Sequence, residues 1–111
     1  MDFSLNARAV DRETLVSVAG ELDLASAGQL WDCLAAMLRA GSSRVFVDLA
    51  RVTFMDCAAL GVLLRARQAS VVRGGELCLI APPRPVQTLL ALTGTQWLAG
   101  SLGLPSATAA G

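Results

Sequence analysis

Between residues 3 and 98 the chain alternates between two hydrophobic periods, and the order of the alternation leaves few folds open. Residues 3–10 alternate apolar and polar side chains, the period of a half-buried strand. Asp11, Arg12 and Glu13 make a polar turn, and residues 14–22 are rich in β-branched side chains and again nearly alternating, which predicts an antiparallel hairpin. Ser26 followed by Gln29 has the form of a capping box. Leu30, Leu34, Met37 and Leu38 then share one helical face, and Gly41 suits the helix end. Residues 44–49 form a nearly continuous apolar run, the pattern of a strand covered on both faces.

A turn is expected over residues 50–55, with Asp56 as the N-cap of a second helix. Leu60, Leu63, Leu64, Val71 and Val72 mark its buried side, Arg65, Arg67 and Gln68 lie largely opposite, and Gly74 and Gly75 end it. Residues 76–80 read as another strand. Pro82, Pro83 and Pro85 lead into a third helix, where Pro85 suits the first turn because its missing N–H was unpaired anyway. Val86, Leu89 and Leu90 form its apolar stripe, Gly94 stops it, and Trp97 and Leu98 are expected in a short strand or turn. The order β-β-α-β-α-β-α predicts one α/β domain, a mixed sheet of about four strands with helices packed on it and right-handed crossovers. Its 111 residues suffice for one core and not two, with residues 1–105 as the domain and 106–111 as a frayed tail.

Nine basic and nine acidic residues cancel, so net charge gives no argument for nucleic acid or for an anionic membrane surface. No apolar run approaches the roughly 20 residues that cross a bilayer, and the N-terminus lacks the basic-then-apolar pattern of a signal peptide, which points to the cytoplasm. Cys33, Cys57 and Cys78 are widely and irregularly spaced, there is no CxxC pair, and histidine is absent. No zinc site is expected from that spacing, and a Ser-His or Cys-His hydrolase is excluded on composition. Neither a GxxxxGK[ST] loop nor a GxGxxG after a strand is present, so no nucleotide cofactor is expected.

Three segments carry a family resemblance. Residues 47–61, VDLARVTFMDCAALG, are similar to the STAS signature, in which a buried strand ending in D-L precedes a loop of the form V-x-x-[ML]-D-S-[ST]-G-L-G. Residues 20–23, GELD, resemble the family's G-E-[LI]-D segment, and residues 86–94, VQTLLALTG, its late-helix V-x-x-[VL]-L-x-L-T-G. The matches keep the family's order over roughly residues 3–100. The resemblance implies an anti-sigma-factor antagonist, a protein that binds an anti-sigma factor with serine-kinase activity and so frees a sigma factor. In that family the kinase phosphorylates the serine after the loop aspartate, and the added charge breaks the complex. Cys57 stands at that position, Ala58 at the second hydroxyl position and Ala59 at the usual glycine, whereas Leu60 and Gly61 match.

The resemblance therefore places a partner-binding surface on Asp23, Thr53, Phe54, Met55, Asp56, Cys57, Ala58, Leu60 and Gly61, with no catalytic residue and no metal ligand. For Asp56 the plain alternative is a helix cap, and for Asp23 a turn residue. Three readings of Cys57 stand side by side: an inert serine-sized surface residue, a redox-sensitive thiol favoured by its place at a helix start, and an enzyme nucleophile. The last lacks a base, since there is no histidine and an aspartate is too weak. Thr53 and Ser26 remain as hydroxyls near the loop, with nothing that marks either as a phosphosite. Cys33 and Cys78 are expected to be buried and unreactive, Trp31 and Trp97 to be packing residues, and Arg65, Arg67 and Arg73 to form a solvated helix face. The alternative function is a sensor or scaffold module that responds through Cys57. Monomer and dimer both remain open.

Overall fold

The computed structural model of the chain describes residues 3–100. Strand β1 (Ser4–Val10) turns back at Asp11 and Arg12 onto β2 (Glu13–Leu22), with Asp11 in the left-handed region at φ 57°. Aspartate tolerates that conformation better than most residues. The pair is antiparallel, as the two alternating segments predict, with Leu5 opposite Val18 and Val10 opposite Glu13. Helix α1 (Leu24–Arg39) follows, then β3 (Arg44–Met55), α2 (Cys57–Val72), β4 (Glu76–Ile80), α3 (Arg84–Thr93) and the short α4 (Trp97–Gly100). The sheet order is β1-β2-β3-β4, with β3 parallel to both β2 and β4. The mixed four-stranded sheet and the order of its first seven elements agree with the hydrophobic pattern.

In-register residues on one face of the sheet, including Val16, Val18, Val45, Val47, Leu77 and Leu79, form a single buried cluster with side chains from all four helices. The other face is only partly covered: Leu15 is exposed, and Ser17, Phe46 and Asp48 are half-buried. The apolar run of residues 44–49 thus belongs to a strand packed fully on one side, not both. Phe46 and the Arg44–Glu13 and Arg44–Glu76 ion pairs, at 3.1 and 2.9 Å, decorate the other.

Helix α1 begins one turn closer to β2 than the Ser26–Gln29 capping box predicts. Asp23 is its N-cap and Ser26 the reciprocating N3 residue: the Asp23 carboxylate accepts from the Ala25 and Ser26 N–H groups, and the Ser26 hydroxyl accepts from the Asp23 N–H. Aspartate caps well, and the buried Ser26 hydroxyl also donates to Glu21 O at 2.9 Å, which fixes it inside the junction. At the far end Gly41, at φ 102°, donates to Leu38 O while Ser42 donates to Met37 O, the paired bonds of a Schellman stop.

Residues 50–55 are strand, not turn. β3 stays paired to β2 as far as Leu22–Met55, with two register shifts at which β3 carries an extra residue. Each extra residue breaks the alternation, which is why the segment reads as irregular, while Val52 and Met55 still reach the core. Gly20, at φ 95°, meets the second shift with a conformation that side chains resist.

Val71 and Val72 are exposed, not buried. The stripe Ala59, Leu60, Leu63, Ala66 and Ser70 sets the inward face of α2, and the next two residues rotate off it. Trp97 and Leu98 open a helical turn, and Leu98 is inserted into the core, a burial worth roughly 1.5–3 kcal/mol. Cys33 is half-buried and Cys78 buried. Arg65 lies over the Trp31 ring at 4.1 Å and Arg67 over Trp97 at 4.7 Å, so both arginines fasten neighbouring elements and do not simply face solvent. The expected tail at residues 106–111, like Met1 and Asp2, lies outside the described residues.

Candidate functional site

Because β2 and β3 run parallel and each leads directly into a helix, the first turns of α1 and α2 lie at the same end of the sheet. Asp56 joins them. Its Oδ1 accepts from the Ala59 N–H at 3.0 Å, capping α2 as its position after the strand predicts. Its Oδ2 accepts from the Leu24 N–H at 3.0 Å, in the first turn of α1. The Asp56 N–H meanwhile donates to Leu22 O at 3.2 Å, extending the strand pairing to the junction. One carboxylate thus faces the positive ends of two helices, a favourable arrangement for an anion.

Around this clamp the predicted site residues fall into two groups. Thr53, Phe54 and Cys57 are exposed, while Asp23, Asp56, Ala58 and Gly61 are half-buried. Met55 and Leu60 point into the core and hold the loop from below. The carboxylates of Asp23 and Asp56 are both engaged by backbone N–H groups, so the freely presented chemistry comes from Phe54, Cys57 and Thr53. The motif reading missed Leu24. It is the first residue of α1, 77% exposed, and with Phe54 at 47% it gives this end of the molecule large apolar side chains on both junctions. An apolar residue directly after an N-cap aspartate, outside the helix's buried stripe, is the signal that marks it.

Cys57 is the first residue of α2 and its thiol is free. Neither oxygen of the neighbouring Asp56 is idle, so that carboxylate is poorly placed to take a proton from the thiol. Burial pushes the Cys33 thiol up from its ordinary value. Among the described residues no group of three or more His, Cys, Asp or Glu side chains is arranged to hold a metal, and no helix is long and apolar enough to cross a membrane.

The fold has clear counterparts. The chain is 27% identical over 94 residues to the anti-sigma-B factor antagonist of Staphylococcus aureus, covering 85% of this chain and 87% of that relative. The solved structure of the anti-sigma factor antagonist SpoIIAA in its unphosphorylated form superposes with a TM-score of 0.78 at 19% identity, covering 86% of this chain and 85% of that one. An anti-sigma factor antagonist from Mycobacterium paratuberculosis does so with a TM-score of 0.78 at 21% identity, over 88% of this chain and 83% of its own. The family model described as "Mlab, STAS domain" matches residues 5–100, the span that contains the hairpin, both capped junctions and the late helix. On that match, with the mixed sheet and paired helix starts it encloses, the chain belongs to the STAS domain family.

Proposed function

We propose that the protein is an anti-sigma-factor antagonist: it docks the end of the sheet where α1 and α2 begin onto an anti-sigma factor of the serine-kinase type, and so releases a sigma factor in the cytoplasm. The observation that carries this reading is the joint presentation of Leu24, Phe54 and Cys57 over a backbone that Asp56 locks across two helices. Exposed large apolar side chains on a rigid base are what a protein interface uses as anchors. The Staphylococcus aureus relative, an anti-sigma-B factor antagonist, supports the choice of partner. No bond making or breaking is assigned to the site; its role is binding.

Calorimetry against the anti-sigma factors of the same organism tests the proposal. Binding to one of them is expected, with loss of its sigma factor from the complex; binding to none overturns the proposal.

The regulatory half of the reading follows from Cys57 and Ala58, which offer no hydroxyl at the head of α2. Incubation with such a kinase and ATP is expected to leave wild-type residue 57 unmodified and to phosphorylate the Cys57→Ser variant there. A phosphorylated wild-type 54–61 segment would contradict it. The exposure of Cys57 also favours a second reading, in which oxidation of the thiol alters the docking surface. Partner affinity that stays the same before and after mild peroxide treatment argues against that second reading.

A further inference from the structure

The zero net charge conceals a local imbalance. At the end of the molecule opposite the paired helix starts, a depression of about 300 Å³ is lined by Arg12, Arg39, Arg73, Gly41, Ser42 and Ser43 together with Leu38. Three arginines line it and no acidic residue does. Two elements and two turns contribute: Arg12 comes from the β1–β2 turn, Arg39 from the last turn of α1, Ser42 and Ser43 from the entry to β3, and Arg73 from the C-cap of α2.

Of the nearby acids, Glu13 and Glu76 are engaged elsewhere, and Asp11, next to Arg12, lines a second depression and not this one. The ion pairs among the described residues both involve Arg44, which holds Glu13 and Glu76. Arg12, Arg39 and Arg73 form no ion pair among the described residues. The carbonyl oxygens that end α1, which would repel an anion, are partly covered: Leu38 O accepts from the Gly41 N–H and from Arg73 Nη1 at 2.6 Å, and Met37 O accepts from the Ser42 N–H. That same bond holds one edge of the Arg73 guanidinium and leaves its other donors available. The Ser42 hydroxyl is buried against Thr14 Oγ1, and the Ser43 hydroxyl lies at 3.4 Å from Arg12 O, so the floor is built of ordered hydrogen-bonding groups.

We infer that this depression binds the phosphate group of a phosphorylated ligand. Three like charges around one depression repel one another, and a dianion relieves the repulsion. Guanidinium forks match phosphate oxygens with paired N–H donors. The site is independent of the docking surface: α1 has 16 residues, about 24 Å of helix, and the two sites are at its opposite ends.

The full chain, labelled with nitrogen-15, is titrated with pyrophosphate at constant ionic strength, with chloride as control. Saturable amide shifts are expected at Gly41, Ser42, Ser43 and Arg73. Arg39→Gln and Arg73→Gln are each expected to weaken binding roughly tenfold, the order of one lost charge-assisted hydrogen bond. Arg65→Gln, whose arginine lies over Trp31, is expected to leave the affinity unchanged. Sedimentation with vesicles containing phosphatidic acid identifies the source: pelleting that Arg39→Gln abolishes assigns a lipid headgroup, and pyrophosphate binding without pelleting assigns a soluble phosphorylated ligand. No saturable shift, a shift that chloride reproduces, equal weakening by Arg65→Gln, or vesicle binding without pyrophosphate binding would overturn the inference.

Discussion

Asp56 Oδ2 accepts a hydrogen bond from the backbone N–H of Leu24, 32 residues earlier in the chain, at 3.0 Å. The bond makes the start of α1 depend on the loop that starts α2, so the two halves of the proposed docking surface behave as one unit. A disturbance at either junction is felt at the other.

Replacing Asp56 by Ala removes both acceptors, and a lost N-cap alone costs about 1 kcal/mol. Asp56→Ala is therefore expected to destabilise the fold by about 1–2 kcal/mol, read as an earlier denaturant midpoint at unchanged slope. Asn keeps one acceptor oxygen and should fall between the two. Hydrogen exchange separates a double cap from a single one: the Leu24 and Ala59 amides should both lose protection in Asp56→Ala. Loss at Ala59 alone would mean that the link to Leu24 carries no weight.

Leu24 and Phe54 are largely outside the core, so their truncation should leave stability within about 0.5 kcal/mol for Leu24→Ala and little more for Phe54→Ala. If they anchor a partner, each truncation should weaken binding to the anti-sigma factor by about 1–2 kcal/mol or more, roughly five- to thirtyfold. Calorimetry of the two variants beside their melting curves gives both numbers, and unchanged affinity in both would remove them from the interface.

The thiols should react in the order of their exposure. Cys57 is exposed, Cys33 is half-buried with its thiol pushed up by desolvation, and Cys78 is buried. Because the thiolate is the nucleophile, Cys33 should lag further behind Cys57 at pH 7.5 than exposure alone would give, and gain on it as the pH rises. Timed alkylation followed by peptide mass spectrometry reads the order directly, and prior modification of Cys33 would refute it.

Gly75 passes so close to β3 that an added Cβ would lie 1.7 Å from Ser43 O. That oxygen is backbone and accepts from the Glu76 N–H at 2.8 Å, the bond that brings β4 into the sheet. Gly75→Ala must therefore push β4 away from β3, with an expected cost of at least about 1–3 kcal/mol. Gly28→Ala is a control at a site where an added Cβ meets nothing, and it should be neutral or slightly stabilising. Equal melting temperatures for the two would contradict the close approach.

Local chemistry is why so much of this molecule is legible in its sequence. The alternation of β2, the helical stripes of α1 and α3, the glycine stop at Gly41 and the cap at Asp56 all depend on residues close in the chain and stand where the sequence predicts them. Strand β1, whose alternation predicts a half-buried strand, pairs with β2 but is exposed at every residue except the half-buried Leu5. Errors arose where another element decides. Residues 50–55 looked irregular because the two extra residues of β3 break its period, yet β2 supplies partners that keep them in the sheet. Val71 and Val72 looked buried because apolar residues usually are, but the inward face of α2 is set by what packs on it. The choice of Asp23 over Ser26 as the cap of α1 rests on where β2 ends.

The sequence by itself determined the α/β order, the family and the substitution of a thiol for a hydroxyl at residue 57, because each is written in neighbouring residues. Only the tertiary structure decided that Asp56 caps two helices, that Leu24 stands beside the 54–57 loop, and that three arginines distant in the chain share one depression. Those relationships arise from the parallel register of β2 and β3, which brings both helix starts to one end of the sheet and both helix ends to the other. No local pattern encodes that register; it is fixed by which side chains fill the core between the sheet and its helices.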